Sequence, residues 1–160
     1  SGNPNAAYRM MTFVNMRNEG LLVLPTHRLM ANVDGFAVDD LLAKITDTFE
    51  IAKYDFTADS AKVSARAQMF ERMDDSFKNN KNAFGIYAGN DTFYVIELKQ
   101  QDVLDVLCPD MSTSSKELDV NVLHKVILES VLGIGDKQLA AQSNIKFIVI
   151  ERLFQAFGFP

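Results

Sequence analysis

The residues best suited to bind a ligand follow a short apolar run at positions 21–24. Pro25 changes the direction of the chain there, and a hydroxyl, an imidazole and a guanidinium come next, at Thr26, His27 and Arg28. The guanidinium offers a planar pair of donors that fits a phosphate or a carboxylate, and the imidazole titrates near neutral pH. This string predicts a binding site for a small anion. The alternative is that Pro25 ends a strand and Arg28 forms a surface ion pair, because consecutive residues of an extended chain point to opposite sides.

A second histidine, His124, lies in an apolar stretch that begins near Asp119. In an ideal α-helix these two residues are separated by about 140° around the axis, so they meet only if Asp119 lies in the cap or turn before the helix. We predict that Asp119 and His124 contact the ligand-binding residues and hold them in position, without contacting the anion directly. The alternative is a helix cap together with a buried neutral histidine that bonds to the backbone or to a carboxylate.

Other kinds of chemistry find little support in the sequence. The two histidines are far apart and have no HxH or HExxH spacing, so no metal site is predicted. The single cysteine, Cys108, precedes Pro109 and has no basic neighbour to activate it. Gly-rich phosphate loops and the GxSxG nucleophile motif are absent. No catalytic residue and no cofactor can therefore be assigned.

Composition limits the class of protein. The chain has 160 residues, of which 48% are apolar and 23% charged, which predicts one globular domain over residues 1–160. Its net charge of −5 gives no electrostatic basis for a nucleic-acid partner. No apolar run reaches the roughly 20 residues needed to span a bilayer, so no membrane partner is expected. One free cysteine suits a cytoplasmic location.

Periodicity and turn residues predict the elements that must position these groups. Alternating or continuous apolar runs predict hairpins at residues 9–24 and 83–99 and strands at 51–57 and 145–150. A spacing of three and four residues predicts a helix from Val38 to Phe49. We expect a second helix, capped by Asp59 or Ser60, and we expect its buried stripe to comprise Val63, Phe70, Met73 and Phe77.

The second half of the chain is predicted to be mainly helical. A short helix is expected over residues 100–107, and residues 137–141 and 151–157 are expected to form helical turns. The capping-box spacing of Ser114 and Glu117 predicts a helix that continues to Leu132 and ends at Gly133. Together these elements predict an α+β fold, with a mixed or mainly antiparallel sheet built from hairpins and covered by several helices.

Three stretches resemble a family of bacterial and archaeal proteins grouped as domain of unknown function 1015 (DUF1015). They are YRMMTFVNMRNEGLLVLPTHRLM at 8–30, NAFGIYAGNDTFYVIELK at 82–99 and LDVNVLHKVILESVLGI at 118–134. The resemblance implies an uncharacterised intracellular protein whose relatives are longer. Their DGHHR-like and MPxKST-like segments are absent here, so we expect a partial chain to which no activity of those segments can be assigned.

Two functions are compatible with this sequence. The first is the small-molecule-binding portion of a larger enzyme-like protein, in which Thr26, His27 and Arg28 contact an anion, a nucleotide or a phosphorylated metabolite. The second is a non-catalytic scaffold or assembly domain that packs on the rest of a longer chain or forms a homodimer.

Overall fold

The computed structural model describes residues 13, 15, 26–33, 35–135, 137–138 and 145–149. The chain divides into two compact units. The first unit comprises residues 1–29 and 146–160, and the second comprises residues 30–145. The expectation of a single domain over residues 1–160 stays a prediction.

Most of the described residues of the first unit lie in two strands. Strand β1 (Thr26–Met30) pairs with strand β5 (Ile145–Val149) in a two-stranded sheet. The strand predicted at 145–150 is thus confirmed. Thr26, His27 and Arg28 open strand β1. The apolar run at 21–24, which was predicted to precede them, lies outside the described residues. The predicted hairpin at 9–24 lies almost entirely outside the described residues, as do the predicted turn at 151–157 and most of that at 137–141.

The second unit is built around a three-stranded antiparallel sheet with the order β2-β4-β3. Its strands are β2 (Phe49–Asp55), β3 (Ala83–Tyr87) and β4 (Thr92–Leu98). Ile96 at the centre of β4 pairs with Ile51 of β2 on one side and with Phe84 of β3 on the other. The predicted hairpin of β3 and β4 is confirmed, and Gly89 in its turn adopts a positive φ of 84° that favours glycine.

Helices cover both faces of this sheet, which confirms the predicted α+β class. They are α1 (Val38–Ile45), α2 (Asp59–Lys78), α3 (Val103–Leu107), α4 (Thr113–Lys116), α5 (Asp119–Val122) and a π-helix (Leu123–Val131). The last helical segment ends before Gly133, whose φ is 69°, as predicted for a left-handed terminator.

The central strand β4 is buried on both faces. Phe93 and Val95 point toward α2, where they pack with Ala65 and Met69. The alternate residues of β4 point toward the opposite layer, which α1, α3, α5 and the π-helix supply; they are Tyr94, Ile96 and Leu98. Two separate apolar clusters therefore lie on the two sides of one strand.

The predicted buried stripe of α2 is wrong. The helix faces the sheet through small or flexible side chains, which we call its inner face: Ala61, Ala65, Met69, Met73 and Ser76. Of the predicted stripe, only Met73 packs on the sheet. Three larger residues are exposed to solvent; their exposed fractions are 60% for Val63, 51% for Phe70 and 74% for Phe77. The side of α2 with the larger apolar residues therefore faces away from the sheet.

The predicted helix caps also need correction. Ala58 precedes the first residue of α2 and forms no side-chain cap, and Asp59 is already helical. Ser112, and not Ser114, precedes α4. The single helix predicted from Ser114 to Leu132 is broken at Glu117 and Leu118. There the side-chain amide of Asn121 donates to the carbonyl of Ser115 at 2.7 Å, and the backbone N–H of Leu118 donates to the same carbonyl at 3.3 Å. These bonds satisfy a carbonyl at the end of α4.

The first predicted helix is shorter than expected. Helix α1 ends at Ile45, and the next residue, Thr46, donates its hydroxyl to the carbonyl of Leu42 at 2.8 Å. Lys99 donates to the carbonyl of Thr46 at 2.6 Å. Phe49, which was predicted on the helix, instead opens strand β2 and is buried. An apolar residue at position 49 fits the spacing of the helix and also the start of the strand. Phe49 belongs to the strand because it pairs with Leu98 of β4.

Helix α3 offers a direct test of this packing, because it carries one buried and one exposed aliphatic residue. Leu104 is fully buried, whereas Val106 is 84% exposed. We expect Leu104→Ala to lower the free energy of unfolding by about 2–5 kcal/mol and Val106→Ala to change it by about 0.5 kcal/mol or less. Urea unfolding of both variants measures this difference, and equal effects would contradict the packing described for α3.

Candidate functional site

Strand β1 carries the residues predicted to contact an anion. His27 and Arg28 are half-buried, and as consecutive strand residues they lie on opposite faces of β1. Burial lowers the pKa of His27 below its ordinary value of 6.5, and the positive charge of Arg28 lowers it further. Burial also lowers the pKa of Arg28. The imidazole is therefore mainly neutral at pH 7, and the guanidinium carries the positive charge of this strand.

Asp119 belongs to the second unit, and its carboxylate has a defined partner there. Asp119 is the first residue of α5. Its Oδ1 accepts a hydrogen bond from the side-chain amide of buried Asn82 at 2.6 Å. The same amide donates to the carbonyl of Glu117 at 3.1 Å. These bonds join the beginning of β3 to the break between α4 and α5, which gives Asp119 a structural role.

His124 lies in the second residue position of the nine-residue π-helix and is half-buried. Asp119 is the first residue of the α-helical segment α5, so it does not lie in the cap or turn from which it was predicted to meet His124. The π-helix begins only at Leu123. Such segments are rare and are frequent at functional sites. The predicted role of His124 in ligand binding stays a prediction.

A buried carboxylate cluster was not predicted from the sequence. Glu97 near the end of β4 has a side chain that is only 6% exposed. Its Oε1 lies 2.5 Å from the ammonium of Lys81. Its Oε2 accepts a hydrogen bond from the hydroxyl of Ser76 at 2.7 Å and lies 3.2 Å from Nη2 of Arg72. Arg72 also lies 3.6 Å from the carboxylate of Glu50 on β2.

These contacts keep Glu97 ionised. Burial by itself raises the pKa of Glu97, but hydrogen bonds from Lys81 and Ser76, with the positive charges of Arg72 and Lys81, outweigh it and hold the pKa below its ordinary value. Both carboxylate oxygens are occupied, so the group is poorly placed to accept a proton from a substrate. The cluster joins the C-terminal half of α2 to the sheet. In the sequence, the only sign of it is a charged residue that continues the inward series of Phe93 and Val95.

The outward side of α2 carries an apolar row that we call the outer stripe: Val63, Phe70 and Phe77. Its members are spaced by seven residues, which places them on one side of the helix over a length of about 21 Å. The sheet contacts are made by the inner face of the same helix. A row of bulky exposed apolar residues of this kind is typical of a surface that contacts another protein.

Two open clefts lie beside the first turns of α2, with volumes of about 280 and 270 Å³. The second is lined in part by Phe56, Tyr87 and Lys62. The ammonium of Lys62 lies 5.5 Å from the ring centre of Phe56 and 5.3 Å from that of Tyr87. This cation–π contact occupies the aromatic wall of the cleft. Neither cleft includes a residue that the sequence analysis assigned to a site.

The described residues include no group of three or more His, Cys, Asp or Glu side chains arranged to hold a metal ion. None of the described helices is both long and apolar enough to cross a bilayer.

We predict that removing the two cations around Glu97 destabilises the fold more than removing Glu97 itself. Removing Glu97 leaves Arg72 and Lys81, whose side chains are 38% and 51% exposed and can turn toward water. Removing both cations leaves a buried carboxylate with only Ser76. We expect Glu97→Gln to lower the free energy of unfolding by about 1–2 kcal/mol at pH 7, and the double variant Arg72→Met/Lys81→Met to lower it by about 3–5 kcal/mol.

The pH dependence separates the two cases. In the wild type the pKa of Glu97 is lowered on folding, so its stabilising contribution is present above about pH 4.5 and is lost as the pH falls through the folded-state pKa. In the double variant, burial without cations raises this pKa, so acid removes the unfavourable charge. Urea unfolding should therefore show a smaller difference in the free energy of unfolding between the wild type and the double variant at pH 4 than at pH 7. A double variant that costs no more than Glu97→Gln at pH 7 would contradict this account.

Comparisons with known proteins give one result. No curated protein and no solved structure matches the chain. A family model described as Protein of unknown function (DUF1015) matches residues 1–121. This range includes the residues of β1 that were predicted to contact an anion, the outer stripe, Glu97 and Asp119, and it ends before His124. Because the match covers 121 of the 160 residues, the chain belongs to the DUF1015 family.

Proposed function

We propose that this chain is an assembly domain that contacts a protein partner through the outer stripe of α2. The observation that carries the proposal is the exposure of Val63, Phe70 and Phe77 on a helix that packs on its own sheet through other residues. Three bulky apolar side chains at seven-residue spacing provide a narrow apolar seam that suits a partner helix. We further propose a cytoplasmic location, supported by the single free cysteine, Cys108.

The proposal requires that the outer stripe contributes little to the stability of the isolated chain. Met69 and Phe70 are neighbours that face opposite environments, so they form a matched pair. At concentrations low enough to keep the chain monomeric, we expect Met69→Ala to lower the free energy of unfolding by about 2–5 kcal/mol. We expect Phe77→Ser, at a position that is 74% exposed, to change it by about 0.5 kcal/mol or less. Phe70→Ser, at a position that is 51% exposed, should lower it by about 1 kcal/mol. If either serine variant costs as much as Met69→Ala, the stripe has a structural role and the proposal fails.

A second candidate function is the binding of a small anion, such as a nucleotide or a phosphorylated metabolite, at the Thr26-His27-Arg28 string. The guanidinium of Arg28 on one face of β1 would contact the anion, and His27 on the opposite face would add only long-range charge. The specific observation that favours it is the half-burial of His27 and Arg28 on β1, which lowers the pKa of both groups. A partly desolvated guanidinium interacts more strongly with an anion than one in bulk water. The net charge of −5 gives no electrostatic support for a nucleic acid as the ligand.

Anion binding by β1 predicts a defined pH dependence. Because His27 titrates below its ordinary pKa of 6.5, the positive charge that it adds to the site develops only as the pH falls below that value. We expect nucleoside phosphates to raise the melting temperature, with affinity stronger at pH 5.5 than at pH 8. Arg28→Gln should abolish the shift at both pH values. The exposed Lys44→Gln variant serves as the control and should retain it; equal loss in both variants would contradict a site on β1.

A further inference from the structure

The outer stripe is nearly symmetric about its middle residue. Val63 and Phe77 each lie seven residues from Phe70, on opposite sides of it. If a second α2 is placed antiparallel with a two-fold axis at Phe70, each Phe77 lies at the height of the smaller Val63 of the other copy. A large side chain then faces a small one at each end of the seam, which favours close packing, and the two Phe70 rings meet at the axis.

The charges beside the stripe have the same symmetry with opposite sign. Arg66 and Asp74 each lie four residues from Phe70, so both project close to the stripe. In the antiparallel pair, Arg66 of one copy lies at the height of Asp74 of the other, and the two-fold axis repeats this match. A parallel pair instead places like charges at equal heights, Arg66 with Arg66 and Asp74 with Asp74, which is unfavourable.

One pair of like charges also falls at equal heights in the antiparallel arrangement, namely Lys62 and Lys78. Both are engaged within their own chain. Lys62 lies over the rings of Phe56 and Tyr87, and Lys78 lies 2.5 Å from Asp74 and 3.9 Å from Asp75. These partners hold the two ammonium groups on opposite flanks of the helix and reduce their repulsion across the seam.

From this size and charge complementarity we infer that the partner of the outer stripe is a second copy of this chain, and that the two α2 helices pair antiparallel about Phe70. The inference rests on the proposed assembly function and adds the identity of the partner and the direction of pairing. It gives an isologous interface in which both copies use the same surface.

Cysteine cross-linking of the full chain tests the direction of pairing, in a Cys108→Ser background so that only the introduced thiol reacts. In the antiparallel pair the two Phe70 positions meet at the axis, whereas the two Val63 positions are about 21 Å apart along it, beyond disulfide reach. Phe70→Cys should therefore form a covalent dimer under mild oxidation, and Val63→Cys should not. Ser64→Cys, which is exposed away from the stripe, is the control for random collision. Cross-linking of Val63→Cys as efficiently as Phe70→Cys would indicate parallel pairing and overturn the inference.

Charge reversal provides an independent test by sedimentation equilibrium. We expect Arg66→Glu or Asp74→Arg alone to raise the dimer Kd about tenfold, because each substitution reverses two symmetric contacts. Because Asp74 also pairs with Lys78 of its own chain, the rescue is measured in a Lys78→Gln background. There the combined variant should return the Kd to within about threefold of the Lys78→Gln chain. Failure of this rescue, or a wild-type chain that stays monomeric at millimolar concentration, would overturn the second-copy inference. The assembly function is judged separately, by the stability of the Phe70→Ser variant in the monomer.

Discussion

The fold of the second unit depends on a strand that is buried on both faces. All six residues from Phe93 to Leu98 are buried, so helices must cover the sheet on each side. The helix on one side, α2, approaches closely, and the contacts at Gly85 show how closely: a Cβ there would lie 3.1 Å from the sulfur of Met73. Small and flexible residues suit this narrow gap, whereas a phenylalanine on the inner face would force the layers apart.

The same constraint explains the Glu97 cluster. Residue 97 continues the side of β4 that faces α2, where an unpaired carboxylate would be unfavourable. Helix α2 passes over this position with Arg72 and Ser76, and Lys81 follows where the chain enters β3. The carboxylate thus connects a helix, a strand and the segment between them. An apolar residue at this position would tolerate small shifts of α2 along the sheet, whereas directed hydrogen bonds from Ser76 and Lys81 define its position.

Local signals in the sequence predicted the elements better than their faces. The hairpin of β3 and β4 was predicted from its Gly-Asn turn, and α1 and α2 from periodicity and turn residues. The inner face of α2 was predicted wrongly. The helix has apolar residues on two sides, and the prediction placed the side with the larger residues in the core. Glu97 contacts Arg72 and Ser76, which lie more than twenty residues earlier in the sequence. Asp119 contacts Asn82, which lies 37 residues earlier. No local pattern encodes such pairs. For the site, the sequence identified the residue types on β1, and the alternation of consecutive residues in an extended chain already indicated opposite faces for His27 and Arg28.

The inner face of α2 packs on the sheet, whereas the outer stripe of the same helix is exposed. Residues that pack on the sheet and residues of the outer stripe alternate along one helix, yet they face different surroundings and share few contacts. In the proposed association, changes in the outer stripe would therefore alter partner binding without altering the fold, since substitutions without common partners act nearly independently. The reverse does not hold. Met69 and Glu97 make contacts that position α2 on the sheet, so the proposed association depends on the inner face as well as on the outer stripe.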